Sequence, residues 1–148
     1  MTASFPRRAA LVAALVLAGA GASAALWDHA VGGIPFVEGG IGRDDVLLMD
    51  AQRSAYALAL RTAALRSGAY LADVHLRITD AAGVLVFERT LQGPWLLIDL
   101  PPGRYEIVGV HEGVVARQEV LVPAHGHREA VMYFPVPGEM APHRLGDD

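Results

Sequence analysis

From Ala72 the chain alternates, with Ala72, Val74, Leu76 and Ile78 separated by Asp73, His75, Arg77 and Thr79. Successive side chains of a strand point to opposite faces, so this spacing predicts one buried and one wet face. Asp80-Ala81-Ala82-Gly83 is a turn whose glycine can take φ > 0, and residues 84–90 form the returning strand. Gln92-Gly93-Pro94 breaks the ladder, and 95–100 is a short, nearly all-apolar strand. Pro101-Pro102-Gly103 forces a reversal, after which Tyr105, Ile107 and Gly109 alternate with Arg104, Glu106 and Val108. Glu112-Gly113 marks a hairpin, residues 114–122 pair back, 123–126 turn, and 127–134 close the set. Turn signals about every ten residues, with no long helix between them, predict an all-β fold: a seven-stranded antiparallel β-sandwich.

Residues 44–66 carry two periods at once. Val46, Leu47, Ala51, Leu58 and Leu65 fall near helical spacing between a capping Asp44 and Gly68. Tyr56, Leu58, Leu60 and Thr62 alternate with Ala55, Ala57, Ala59 and Arg61, which is the period of a strand. The expectation is a short helical turn over 44–50 and a strand over 53–63. One long helix over 45–66 is the alternative. Residues 25–42 are Gly-rich and aperiodic, and with the short helix they make an N-terminal arm over 25–52 that crosses the sandwich or adds an edge strand. The tail, 135–148, has no apolar period and is expected to be flexible.

The first residues change the setting. Arg7 and Arg8 precede a run of Ala, Leu, Val and Gly to about Ala20, then Ser23-Ala24-Ala25. A basic start, a short apolar stretch and a small-residue exit predict a secretory signal peptide over 1–24 and a periplasmic or secreted product. No membrane span is expected after cleavage. The chain has no cysteine, which removes disulfides, thiolate metal sites and thiol catalysis together. It has no lysine either; of twelve arginines, loss of Arg7 and Arg8 leaves ten against sixteen acids, a net charge of −6. No basic stripe exists to release phosphate counterions, so nucleic acid is not an expected partner.

Four segments in order carry a family likeness. They are Gly68-Ala69-Tyr70-Leu71-Ala72-Asp73-Val74, Ile78-Thr79-Asp80, Gly93-Pro94-Trp95-Leu96-Leu97 and Leu100-Pro101-Pro102-Gly103-Arg104-Tyr105. From about Tyr56 to Phe134 the chain resembles the carboxypeptidase regulatory-like domains, which are transthyretin-like (prealbumin-like) seven-stranded sandwiches. It is similar to small exported proteobacterial proteins built of this domain alone. The resemblance implies that Tyr105 packs into the core after the Pro-Gly turn and favours strand over helix for 53–63. It brings no catalytic residues and no cofactor.

Candidate chemistry is sparse. His125-x-His127, if extended, places two imidazoles on one side, where they could share Zn²⁺ or Cu²⁺ with His111 or His143 as a distant third ligand. Two solvent-facing imidazoles on a loop are the simpler reading. Beyond the predicted signal, serine occurs only at Ser54 and Ser67, and neither lies in a nucleophile elbow. Asp44, Asp45 and Asp50 lack the spacing of a calcium loop and suit a helix N-terminus. Trp27 and Trp95 could stack on a sugar ring, but Trp95 between Pro94 and an apolar strand reads better as packing. Asp73, His75 and Arg77 form a polar patch on one strand face. The sequence therefore predicts a non-catalytic exported module that binds a protein or cell-envelope partner. The alternative is a periplasmic copper- or zinc-binding protein using His125 and His127.

Overall fold

The computed structural model describes residues 29–31 and 33–138, and within them the Gly-rich arm belongs to a sheet. Strands β1 (His29–Val31) and β2 (Ile34–Gly39) form a hairpin, with Gly33 at φ 81° between them. The expected signal peptide, together with Trp27, Met140 and His143, lies outside the described residues.

Helix α1 (Arg43–Gln52) runs into a 3-10 turn (Arg53–Ala55), and β3 begins only at Leu58 (Leu58–Ala64). The helical turn expected over 44–50 is therefore too short, and the strand expected over 53–63 starts five residues late. Arg53 explains the shift. Its backbone is helical (φ −54°, ψ −37°), and its guanidinium meets Asp50 one turn back and Glu129, each at 3.2 Å. Tyr56 is the first extended residue after the turn (φ −111°, ψ 151°). It packs on the outer side of the sheet rather than on Leu58's face.

The remaining strands are β4 (His75–Asp80), β5 (Leu85–Thr90), β6 (Trp95–Ile98), β7 (Gly103–His111), β8 (Val114–Val122) and β9 (Arg128–Phe134). The described residues thus hold nine strands, in sheets ordered β1-β2-β6-β3-β9 and β5-β4-β7-β8. Seven strands in a wholly antiparallel arrangement were expected. The arm supplies two more, and β3 and β9 run parallel from Leu58↔Arg128 to Ala64↔Phe134. The chain leaves β8 in one sheet and enters β9 in the other, which sets that direction. Asp73, at φ 57°, breaks the predicted alternation and delays β4 to His75.

One core lies between the sheets. Phe36, Leu60, Leu96 and Phe134 of the first sheet meet Leu76, Phe87, Ile107 and Val120 of the second. The Phe36 and Phe87 rings touch edge-on at 5.1 Å. A second, smaller cluster lies on the outer face of the five-stranded sheet, where Met49 of α1 covers Val37, Ala59, Trp95 and Leu97. Both faces of β6 and β3 are consequently buried, apart from the partly exposed Arg61. Ala59 is small because the helix lies on it; its partners Leu58 and Leu60 fill the main core. Of the alanines that blurred the helix-or-strand reading, Ala59 is the one that admits α1; Ala57 packs on the main core and Ala55 is exposed.

Candidate functional site

Because α1 covers part of the five-stranded sheet, the outer face of the four-stranded sheet is the main open face. Strand alternation places His75 and Arg77 of β4, Glu88 and Thr90 of β5, Arg104 and Glu106 of β7, and Arg117 and Glu119 of β8 on it. His75 Nδ1 is 3.0 Å from Thr90 Oγ1 and its Nε2 is 3.0 Å from Glu88 Oε1. Arg77 Nε brings a cation to the same carboxylate at 3.4 Å. The polar patch foreseen at 73–77 is thus realised by His75 and Arg77 with Glu88, while Asp73 precedes the ladder.

Further along the same face Glu106 and Glu119 stand directly opposite each other in the β7–β8 register. Like charges in that position repel. Each is met by an arginine from the neighbouring strand: Arg117 Nη1 donates to Glu106 Oε1 at 3.2 Å, and Arg104 Nη1 donates to Glu119 Oε1. The result is a lattice of crossed pairs with both signs interspersed, bordered by exposed Val115 and Leu121. Exposed ion pairs contribute about 0–1 kcal/mol each to stability. Their value here is a fixed pattern of donors, acceptors and apolar spots.

The other candidates fall apart or become structural. His125 and His127 are both exposed in the β8–β9 connection. Gly126 between them has φ 82°, so the segment is not extended and the geometry that aligned the two imidazoles is lost. The register Gly103↔Val122 to His111↔Val114 puts His111 at the opposite end of β7 from this loop. Nine residues of strand separate them, about 27 Å at the usual rise. His111 instead turns its ring toward Phe134 at 6.2 Å. Among the described residues no group of three or more His, Asp or Glu side chains could hold a metal ion.

Asp44 and Asp45 occupy the first turn of α1, and Asp45 Oδ2 accepts the Gly40 and Ile41 N–H groups at 2.5 and 2.9 Å. Trp95 is buried beneath Gly40, with the Arg61 guanidinium 5.0 Å from its ring and Tyr70 edge-on at 6.4 Å. It offers no free ring face for a sugar. Ser54 is exposed in the 3-10 turn, and Ser67 Oγ accepts the Ala69 N–H at 3.2 Å.

Sequence reasoning missed one pair. Glu38, in the Gly-rich arm, is buried and accepts both Nε and Nη2 of Arg89 from the opposite sheet. Glu38 also borders a cleft of ≈240 Å³ with Ile41, Asp45, Leu48 and Gln92. Glu38 lies at even spacing from Phe36, the face that enters the core, and that was the one available signal.

No family model matches the chain, and no curated protein does. A solved structure titled "Crystal Structure of S.CueP" is similar over 51% of this chain and 62% of that one, with 9% identity and a TM-score of 0.41. The matched part is thus less than two thirds of that chain. Among the described residues no helix is long and apolar enough to cross a membrane.

Proposed function

We propose that the chain is a non-catalytic exported module of the carboxypeptidase regulatory-like, transthyretin-like type. In this reading its two sheets are the layers of that sandwich, and it binds a protein or cell-envelope partner in the periplasm. The observation that carries the binding role is the contrast between the two outer faces. One is plugged by Met49 and α1, whereas the other presents the crossed pairs Arg104–Glu119 and Arg117–Glu106 beside His75, Arg77 and Glu88. Paired charges of both signs with apolar spots between them suit recognition of another protein surface, where complementary potential fixes register and rejects wrong partners. Tyr105, buried after the Pro101-Pro102-Gly103 turn, agrees with the structural role the resemblance implies.

The test is capture from periplasm under mild crosslinking, with the protein expressed as the full chain. A partner recovered by the wild type and lost with Arg77→Glu/Arg104→Glu supports the reading. Recovery no better than background, or recovery unaffected by that double substitution, counts against it.

A further inference from the structure

We infer that β8 is a self-complementary edge and that two copies of the chain pair through it, antiparallel, about a two-fold axis at Gln118. β8 ends the four-stranded sheet, and β7 is its one ladder partner among the described residues. A terminal strand leaves a row of backbone N–H and C=O groups open to another chain, and natural edges are usually blunted by bulges, proline or charges of one sign. This strand is nine residues long, pairs with β7 without a register shift, contains no proline, and carries one arginine and one glutamate.

The order of those residues is the argument. Val114-Val115-Ala116-Arg117-Gln118-Glu119-Val120-Leu121-Val122 read against itself places Arg117 opposite Glu119 of the second copy, and Glu119 opposite its Arg117. Val115 then faces Leu121, Val114 faces Val122, and Ala116 faces Val120. Every charge meets its opposite and every apolar side chain meets another. Val115 and Leu121 are 54% and 55% exposed in the single chain, so the pairing covers two apolar residues per copy that β7 leaves wet.

Other registers fail. A two-fold at Ala116 sets Val115 against Arg117, and one at Val120 sets Leu121 against Glu119. A shift by one residue brings the outer face of one copy against the inner face of the other, which a sheet does not tolerate where one face is buried. Pairing over the whole strand closes about eight to ten backbone hydrogen bonds and joins the two charge lattices into one eight-stranded sheet. The contact is isologous, so it closes at two copies and does not propagate.

Sedimentation velocity on the protein purified after expression of the full chain tests this, from about 1 to 100 µM, the range expected of an interface of modest size. The wild type is expected to pass from one chain to two. Arg117→Glu and Glu119→Arg each set two like-charge contacts across the axis and should weaken the dimer at least about tenfold. An equimolar mixture of the two variants restores both opposite-charge contacts and should dimerise again. A second measurement is independent of charge. The chain has no cysteine, so Gln118→Cys places two thiols opposite each other at about 4.5–5.5 Å between Cα atoms, within disulfide reach. Oxidation should link that variant into dimers and leave Val115→Cys unlinked, because its two copies lie about 20 Å apart along the strands. A wild type that stays a single chain at about 100 µM overturns the proposal. So does a dimer that both charge reversals leave intact, a mixture that stays monomeric, or equal crosslinking of the two cysteine variants.

Discussion

Arg89 reaches from the terminal strand β5 into the space between the sheets, where its Nε and Nη2 both donate to one oxygen, Glu38 Oε1, at 3.0 and 2.9 Å. The guanidinium also lies 5.5 Å from the Phe36 ring. The Glu38 side chain is only 5% exposed, whereas that of Arg89 is 31% exposed. The pair ties β2, supplied by the arm, to the opposite sheet. Removing one member of such a pair leaves an uncompensated buried charge, while removing both does not. Arg89→Ala is therefore expected to cost about 3 kcal/mol, the lower end for a buried pair because the arginine keeps some contact with water. Glu38→Leu/Arg89→Leu should recover most of that loss. Urea unfolding of Glu38→Leu, Arg89→Leu and the double gives the coupling, and a coupling of zero would show that the two groups do not depend on each other.

Two glycines separate a backbone approach from a side-chain one. A Cβ on Gly93 would lie 2.2 Å from the Gly39 carbonyl oxygen, whereas one on Gly109 would lie 2.6 Å from Phe134 Cζ and 2.7 Å from Met132 Sδ. Ring and thioether can shift, at the usual overpacking cost of about 1–3 kcal/mol. The Gly39 carbonyl belongs to the end of the β2–β6 ladder, where Gly39 pairs with Trp95, and it moves only if the ladder moves. Gly93→Ala should thus destabilise more than Gly109→Ala and should also shift Trp95 fluorescence. Thermal melts that rank the two the other way would refute this reading of the close approach.

The strands after Ala72 other than β6 were legible because each has one wet face, and alternation records that directly; β6, buried on both faces, read as a short apolar run between Pro94 and Pro101. Ile78-Thr79 and Glu106-Ile107 announce their sides residue by residue, whereas Val120 and Leu121 are both apolar though only Val120 is buried. The arm was legible only as a segment that crosses the sandwich or adds an edge strand. Phe36 and Glu38 share an inward face, yet the glycines around them and the buried charge erase the pattern that would mark a strand. Residues 53–57 failed for another reason: Arg53 is held helical by Asp50 and Glu129, and Glu129 is distant in sequence. The parallel pairing of β3 with β9 depends on which sheet β9 enters, and its alternation is the same in either. The spacing of His125 and His127 was legible, but the positive φ of Gly126 between them was not, because spacing alone carries no backbone angle.

Asp45 closes the loop that leads from β2 into α1. Gly42, the residue ahead of the helix, has no side chain to cap it, and Asp45 instead accepts the Gly40 and Ile41 N–H groups. Asp45→Ala removes an anion from a helix N-terminus and two charge-assisted bonds, with an expected loss of about 1–2 kcal/mol. Asp45→Asn keeps an acceptor and should lose less. Amide exchange at Gly40 and Ile41 should quicken in the alanine variant while exchange in β7 stays as it was; uniform quickening across both regions would count against a local role.

Tyr105 makes the fold sensitive to alkali in a way that can be isolated. Its hydroxyl donates to the Pro101 carbonyl at 2.7 Å, closing the Pro101-Pro102-Gly103 turn onto β7. Burial pushes the phenol above its ordinary value of 10.0, and the nearby Asp80 carboxylate pushes it further the same way. A group whose folded pKa is raised keeps its proton longer in the native state than in the unfolded chain. Its contribution is complete below pH about 10 and is lost as pH rises through the folded value. The sequence has no lysine, so no ammonium group titrates in that window to mask the effect. Tyr105→Phe should cost about 1 kcal/mol at pH 7, for the lost hydrogen bond, and should flatten the decline above pH 10. Unfolding midpoints from pH 7 to 11 for wild type and variant check both parts. Parallel curves across the whole range would mean that Tyr105 ionises alike in the folded and unfolded chain, and that its burial is not what makes the sheet fail in base.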